Sequence, residues 1–162
     1  MIRVVLTVLL AVALLTASMP AIEDAGRDTV VERLGTEASH IERAAGGVTA
    51  DSVAVADPSL AARTSLVVSA PTGVLAAPID RLALADPTRT DTTTEARVSE
   101  GAALVYRLRH GSVRRVSIVP PTDAIGISLR DGPIELEPDG ETELELRLVD
   151  DGGPTVRIAR AG

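Results

Sequence analysis

Residues 4–22, VVLTVLLAVALLTASMPAI, run into residues 23–45, EDAGRDTVVERLGTEASHIERAA, and the change between them decides the fold. The first stretch carries no charge over 19 positions, which just reaches the roughly 20 apolar residues that a helix needs to cross a bilayer. Its dense core, residues 4–15, is 12 long, the length of a signal-peptide apolar region. Two outcomes are open: retention as a single-pass anchor, or cleavage after a small residue such as Ser18 or Ala21.

The second stretch favours retention. Val30, Leu34, Ala38, Ile41 and Ala45 follow a 4-4-3-4 spacing, which places one apolar stripe on a helix. Glu32, Arg33, Glu37, Glu42 and Arg43 occupy the other faces. A cleaved signal usually leads into extended or irregular chain, whereas an apolar helix feeding an amphipathic one suits an anchored assembly subunit. Pro20 predicts a kink or short break, and Gly46-Gly47 predict the helix stop. Arg3 precedes the apolar run and Glu23, Asp24 and Asp28 follow it. That asymmetry predicts a cytoplasmic N-terminus, with the C-terminal domain extracellular.

Beyond Gly47 the apolar period drops to two. Strands are predicted over residues 52–56, 64–70, 78–85, 103–110, 113–119, 125–130, 134–137, 142–149 and 155–160. Turn residues separate them, among them Asp57-Pro58, Pro71-Thr72-Gly73, Asp86-Pro87 and Asp131-Gly132. The expected class is α+β: a membrane helix (1–22), an amphipathic helix (23–46) and an antiparallel β-sandwich-like domain (47–162). Alternation points Leu104, Tyr106, Leu108, Val116, Ile118, Ile125, Ile127, Leu129, Ile134, Leu136, Leu144, Leu146, Leu148, Val156 and Ile158 inward. Residues 88–94, TRTDTTT, read as a polar loop.

One hundred and sixty-two residues leave no room for a second independent core. The chain has no Cys, Phe, Trp, Lys, Asn or Gln. It therefore forms no disulfide or thiolate zinc site and offers no thiol nucleophile, lipidated cysteine or N-glycosylation acceptor. All 16 basic residues are Arg, against 23 acidic ones, for a net charge of −7. With Tyr106 the single aromatic residue, there is no stacking platform for bases, and the acidic balance repels a phosphate backbone. Nucleic acid is not an expected partner. The abundance of acids without Lys fits a GC-rich genome and a halophilic surface, because molar salt shortens the Debye length to about 3 Å.

Catalytic chemistry finds little support. His40 lies on the amphipathic helix and His110 ends a strand beside Ser112, but no G-x-S-x-G pattern surrounds a serine. Neither the Asp139-Gly140-Glu141 turn nor Asp150-Asp151-Gly152 matches a twelve-residue calcium loop, and no phosphate-loop glycine pattern occurs. No catalytic, cofactor or metal residues are expected.

Charge is unevenly placed instead. Arg97, Arg107, Arg109, Arg114 and Arg115 share nineteen residues with one acid, Glu100, while residues 131–151 hold nine acids and one base, Arg147. These windows define a basic patch (Arg107, Arg109, Arg114, Arg115) and an acidic patch (Glu135, Glu137, Glu143, Glu145). They either pair with each other on neighbouring strands, or meet between subunits in a contact that propagates. A hairpin with Leu136 opposite Leu144 is predicted, which sets Glu137 against Glu143 and Glu135 against Glu145. Such an acidic ladder would need salt to be stable. The assembly stripe, Val30, Leu34, Ala38 and Ile41, is expected to stay partly exposed in one subunit.

This layout resembles the type IV pilin and pseudopilin class, in particular small haloarchaeal proteins associated with type IV pilus-like secretion machinery. The apolar segment 4–22, Pro20 near its end, the amphipathic run 23–45 and the β-rich remainder carry the resemblance. It implies a helix that anchors the subunit and packs in a filament core, with the β-domain facing outward. Only Met1-Ile2-Arg3 precede the apolar run, and no acid interrupts it before Glu23, where the class has a basic leader and usually an early Glu. The expected function is a non-enzymatic, membrane-anchored envelope protein that assembles with itself or with pilus-like secretion machinery. The alternative is a secreted or surface-tethered β-domain that binds a ligand or protein partner after signal cleavage, and a small hydrolase comes third.

Overall fold

A computed structural model describes residues 2–73, 76–86, 101–109 and 111–161. The loop 88–94, Arg97, Glu100 and His110 lie outside the described residues.

One helix, α1 (Ile2–Ala50), runs unbroken for 49 residues with Pro20 inside it, roughly 73 Å at 1.5 Å per residue. Neither the break at Pro20 nor the stop at Gly46-Gly47 occurs. The glycine pair fails to end the helix because Val48, one turn further along the stripe, is buried at 8% exposure. Thr49 then donates its hydroxyl back to the Ala45 and Gly46 carbonyls at 3.1 and 2.9 Å, so its side chain is satisfied within the helix.

Eight strands follow: β1 (Arg63–Ser69), β2 (Ile79–Ala85), β3 (Ala102–Leu108), β4 (Val113–Ile118), β5 (Gly126–Leu129), β6 (Ile134–Leu136), β7 (Glu141–Asp150) and β8 (Pro154–Arg160). They form two four-stranded sheets, sheet A in the order β1-β7-β8-β5 and sheet B in the order β4-β3-β2-β6. The C-terminal half of α1 touches β1 and β7 of sheet A and β4 and β3 of sheet B. The helix thus closes the side of the sandwich where β1 and β4 are edges. The fold is the expected α+β, a long N-terminal helix followed by a sandwich-like β domain. One pair departs from the antiparallel plan, since β5 runs parallel to β8. Residues 52–56 give only an isolated bridge, Val55 to Val149. The Asp57 carboxylate then turns the chain by accepting from the Ser59 amide and hydroxyl at 2.8 and 2.7 Å.

The core joins all three layers. Val30, Leu34, Ala38, Ile41, Ala45 and Val48 from α1 meet Leu66, Leu82, Leu84, Leu104, Tyr106, Ile118, Leu144, Leu146, Val156 and Ile158. The inward positions read from alternation are in this core or packed against it. The stripe residues Val30, Leu34 and Ile41 are 0% exposed and Ala38 is 3%. The expectation of partial exposure is therefore wrong: two sheet edges flank the helix and together cover the stripe completely.

The predicted β6–β7 hairpin does not form. β6 pairs with β2, Leu82 opposite Leu136 and Ala83 opposite Glu135, whereas β7 pairs with β1 and β8. The 137–140 turn crosses between the sheets, and the buried Thr142 hydroxyl accepts from the Glu137 amide at 2.9 Å. Leu136 and Leu144 do face the same core, but from opposite walls. Period-two alternation fixes the inward side of a strand without fixing its neighbour.

Candidate functional site

The chemistry of this molecule lies in an apolar helix and two charged sheet faces. The N-terminal half of α1 is long and apolar enough to cross a membrane, and none of its most apolar stretch is buried in the fold. Val4, Leu6, Leu9, Leu14 and Leu15 are each at least 60% exposed. Its polar groups are satisfied internally: Thr7 donates to the Arg3 carbonyl at 2.6 Å, Thr16 to Val12 at 3.0 Å and Ser18 to Leu14 at 2.8 Å. Hydroxyls bonded back to the preceding turn are what a helix in hydrocarbon requires. Where the helix enters the sandwich, an open cleft of about 280 Å³ lies among Ile22, Gly26, Ala77 and Leu108.

The basic patch is not one patch. Arg107 and Arg115 lie on the outer face of sheet B, in register with Val113 and Val105 respectively. Arg114 is opposite Tyr106 and so belongs to the inward register, at the exposed edge of β4. Arg109 follows β3 and is exposed. A one-residue step along a strand changes sides, so a run of neighbouring arginines is divided by the pleat.

The acidic patch is split more deeply, across the two sheets, and Glu135, Glu137 and Glu145 pair with arginines other than those of the basic patch. Glu135 binds Arg81, Glu137 lies 3.3 Å from Arg160, and Glu145 binds Arg147 with Arg63 at 3.9 Å. Glu143 lies opposite Val67 on sheet A. On sheet B, Arg107 meets Asp80 at 2.6 Å. The like-charge acidic ladder is therefore absent.

The like-charge contacts that do occur are between arginines. On sheet B, Arg81 is opposite Arg107, each with its own carboxylate, Glu135 and Asp80. On sheet A, Arg63 is directly opposite Arg147, and Arg147 is directly opposite Arg157, and the sheet A row is the longer. This row crosses three adjacent strands on the outer face of sheet A, and Ser128 of β5 continues it. Arg130 follows β5, its amide bonded to the Ile158 carbonyl, and lines a small cleft with Pro58, Glu145, Arg147, Arg157 and Ala159. Hydrogen bonding from Arg147, reinforced by the charges of Arg147, Arg63 and Arg130, holds the Glu145 carboxyl below its ordinary range. The sequence reading missed this row, because its members come from separate strands and only register brings them together.

The remaining candidates stay apart. On the helix flank, His40 Nδ1 is 4.0 Å from Glu37 Oε2, an oxygen that is buried without a hydrogen-bond partner. Asp151 belongs to Arg157, at 2.9 Å. Among the described residues, no three His, Asp or Glu side chains are grouped to hold a metal ion.

The family model for "Domain of unknown function (DUF7311)" matches residues 1–161, so the chain belongs to that family. No curated protein and no solved structure matches it.

Proposed function

We propose that this member of the DUF7311 family is a non-enzymatic envelope protein, held in the membrane by the first half of α1 and presenting its sandwich outside the cell. The carrying observation is the continuity of α1, which passes from a fully exposed apolar half into the buried core without a linker. A tethered domain needs no such rigidity. A subunit that must hold its domain at a set height and orientation does. In the pilin-like version of this reading, the subunit assembles with itself or with a pilus-like secretion apparatus. Because the stripe at Val30, Leu34, Ala38 and Ile41 is consumed by the subunit's own sandwich, assembly falls to the apolar half of the helix and the sheet faces.

The secreted alternative also has a specific observation behind it. From Arg3 to Ala25 no residue of α1 is buried, and Gly26 is the first that is, so cleavage after Ser18 or Ala21 would leave the core whole. The mass of the native protein from membrane fractions separates the two. An intact N-terminus supports the anchor, and loss of about 20 residues, as in signal processing, overturns it. The chain lacks cysteine, so single cysteines at Thr16 or Thr36, both exposed on α1, report assembly cleanly. A subunit-to-subunit crosslink in membranes is expected for at least one of them, and none at either counts against self-assembly.

A further inference from the structure

We propose that the outer face of sheet A binds an oxyanion, a phosphate or carboxylate group carried by a partner, in the cleft formed by Arg130, Arg147 and Arg157 with Arg63 at its edge. Neighbouring strands are about 4.8 Å apart, so the row Arg63–Arg147–Arg157 sets three cations side by side. Directly opposed like charges destabilise a sheet, and this row belongs to a chain whose net charge is −7. The internal acids offset only part of it. Glu145 serves Arg147 and Arg63, Asp151 serves Arg157 from the loop end, and Arg130 adds its charge to the same Glu145. Four guanidiniums thus face two carboxylates.

The geometry is that of a prepared site. The Arg147 guanidinium is fixed by Glu145 on one side and by the Pro58 carbonyl, 3.1 Å away, on the other. The side chains of Arg147 and Arg157 are only 28% and 25% exposed. Partly desolvated guanidiniums in fixed positions give shorter and stronger hydrogen bonds to an anion than free surface arginines do. The cleft between them holds about 50 Å³, enough for one oxyanion group and too small for a nucleoside or a sugar. Glu145 lines the cleft and lowers its affinity, so its neutralisation should tighten binding. This inference does not depend on whether the helix is retained.

The test is a calorimetric titration of the full chain in detergent micelles, at low and fixed ionic strength, with inorganic phosphate and with acetate as probes. Saturable one-to-one binding of either probe is expected, with tighter phosphate indicating a phosphorylated partner and tighter acetate an acidic one. The double variant Arg130→Gln/Arg157→Gln should weaken binding at least tenfold, and Glu145→Gln should tighten it several-fold. A control, Arg43→Gln/Arg109→Gln, removes two exposed arginines elsewhere and should change nothing. Binding that is absent, unsaturable, or equally weakened by the control variant overturns the proposal. Thermal melts of each variant show whether a loss of binding reflects a loss of fold.

Discussion

The two halves of α1 share a backbone and differ in what surrounds them. Before Ile22, the large apolar side chains point outward with no protein against them; from Gly26 to Val48 the apolar stripe is buried, and most polar positions, together with Val31, face out. Apolar residues cover the whole circumference of the first half but only one stripe of the second. A helix apolar all round belongs in lipid or a large core, and a helix with one apolar stripe belongs on a protein surface. The boundary between these two surroundings coincides with Glu23, Asp24 and Asp28, the first acids in the chain. One continuous helix therefore joins a surface that is apolar all round to one with a single buried stripe.

The comparison breaks most readily in the buried half. Leu34 and Ile41 are 0% exposed between the two sheets, and truncating such a residue to alanine costs about 2–5 kcal/mol. Leu34→Ala or Ile41→Ala should lower the denaturation midpoint of the sandwich sharply, whereas Leu9→Ala in the apolar half should leave it unchanged. Equal effects from both halves would mean that the first half is also part of the folded core.

A charge in the first half tests the other side of the contrast. Leu10 is 60% exposed on the apolar surface, and an arginine at the centre of a spanning helix costs about 2.5–3.5 kcal/mol on insertion. Leu10→Arg should move the protein out of the membrane fraction without changing the melting of the sandwich. Retention of Leu10→Arg in membranes would argue that the helix is held by partners and not by lipid.

Much of this division is legible in the sequence, and what is not legible has a physical cause. The 4-4-3-4 spacing identified the stripe, and alternation identified the inward strand positions. Both are local periodicities, set by the pitch of a helix and the pleat of a strand. Partners are not local. The inward set Leu136 and Leu144 was compatible with one hairpin or with two opposed walls, and the closure of the sandwich by α1 chose the walls. The charged patches failed for the same reason: Arg114 and Arg115 are neighbours in the chain and belong to opposite sides of β4, while Arg63, Arg147 and Arg157 are far apart in sequence and adjacent in register. Gly46-Gly47 carried a true stop signal that the burial of Val48 outweighed.

The sandwich's charged faces should respond to pH more weakly than the core responds to truncation. The Glu145 carboxyl is held below its ordinary range by its Arg147 hydrogen bond and the surrounding arginines. A carboxylate with a depressed folded-state value stabilises the fold at pH above its unfolded value of about 4.3, and the contribution fades as pH falls through the folded value. Glu145→Gln should therefore melt below the parent chain at pH 6, and the gap should close as the pH approaches 3. A gap that stays constant would show that the loss is one of shape or hydrogen bonding and not of charge.

The smallest effect returns to α1 and asks whether its second half is tuned for stability. Gly35 and Gly46 lie inside the helix, and a methyl group added at either meets, beyond the helix's own adjoining backbone, no atom within 4 Å. Glycine in a helix interior costs roughly 0.8–1 kcal/mol relative to alanine, chiefly through the freedom it keeps in the unfolded chain. Neither position has a positive φ, so alanine fits both backbones. Gly35→Ala and Gly46→Ala should each raise the melting temperature by a few degrees, and together nearly additively, because ten residues of helix separate them. In the isolated subunit no contact opposes this gain. If Gly35→Ala stabilises the purified protein yet reduces crosslinking between subunits in membranes, the missing side chain serves close approach of a second copy to the outer face of the helix. If it stabilises the protein and crosslinking is unchanged, the outer face of the second half is solvent, and assembly rests on the apolar half and the sheet faces.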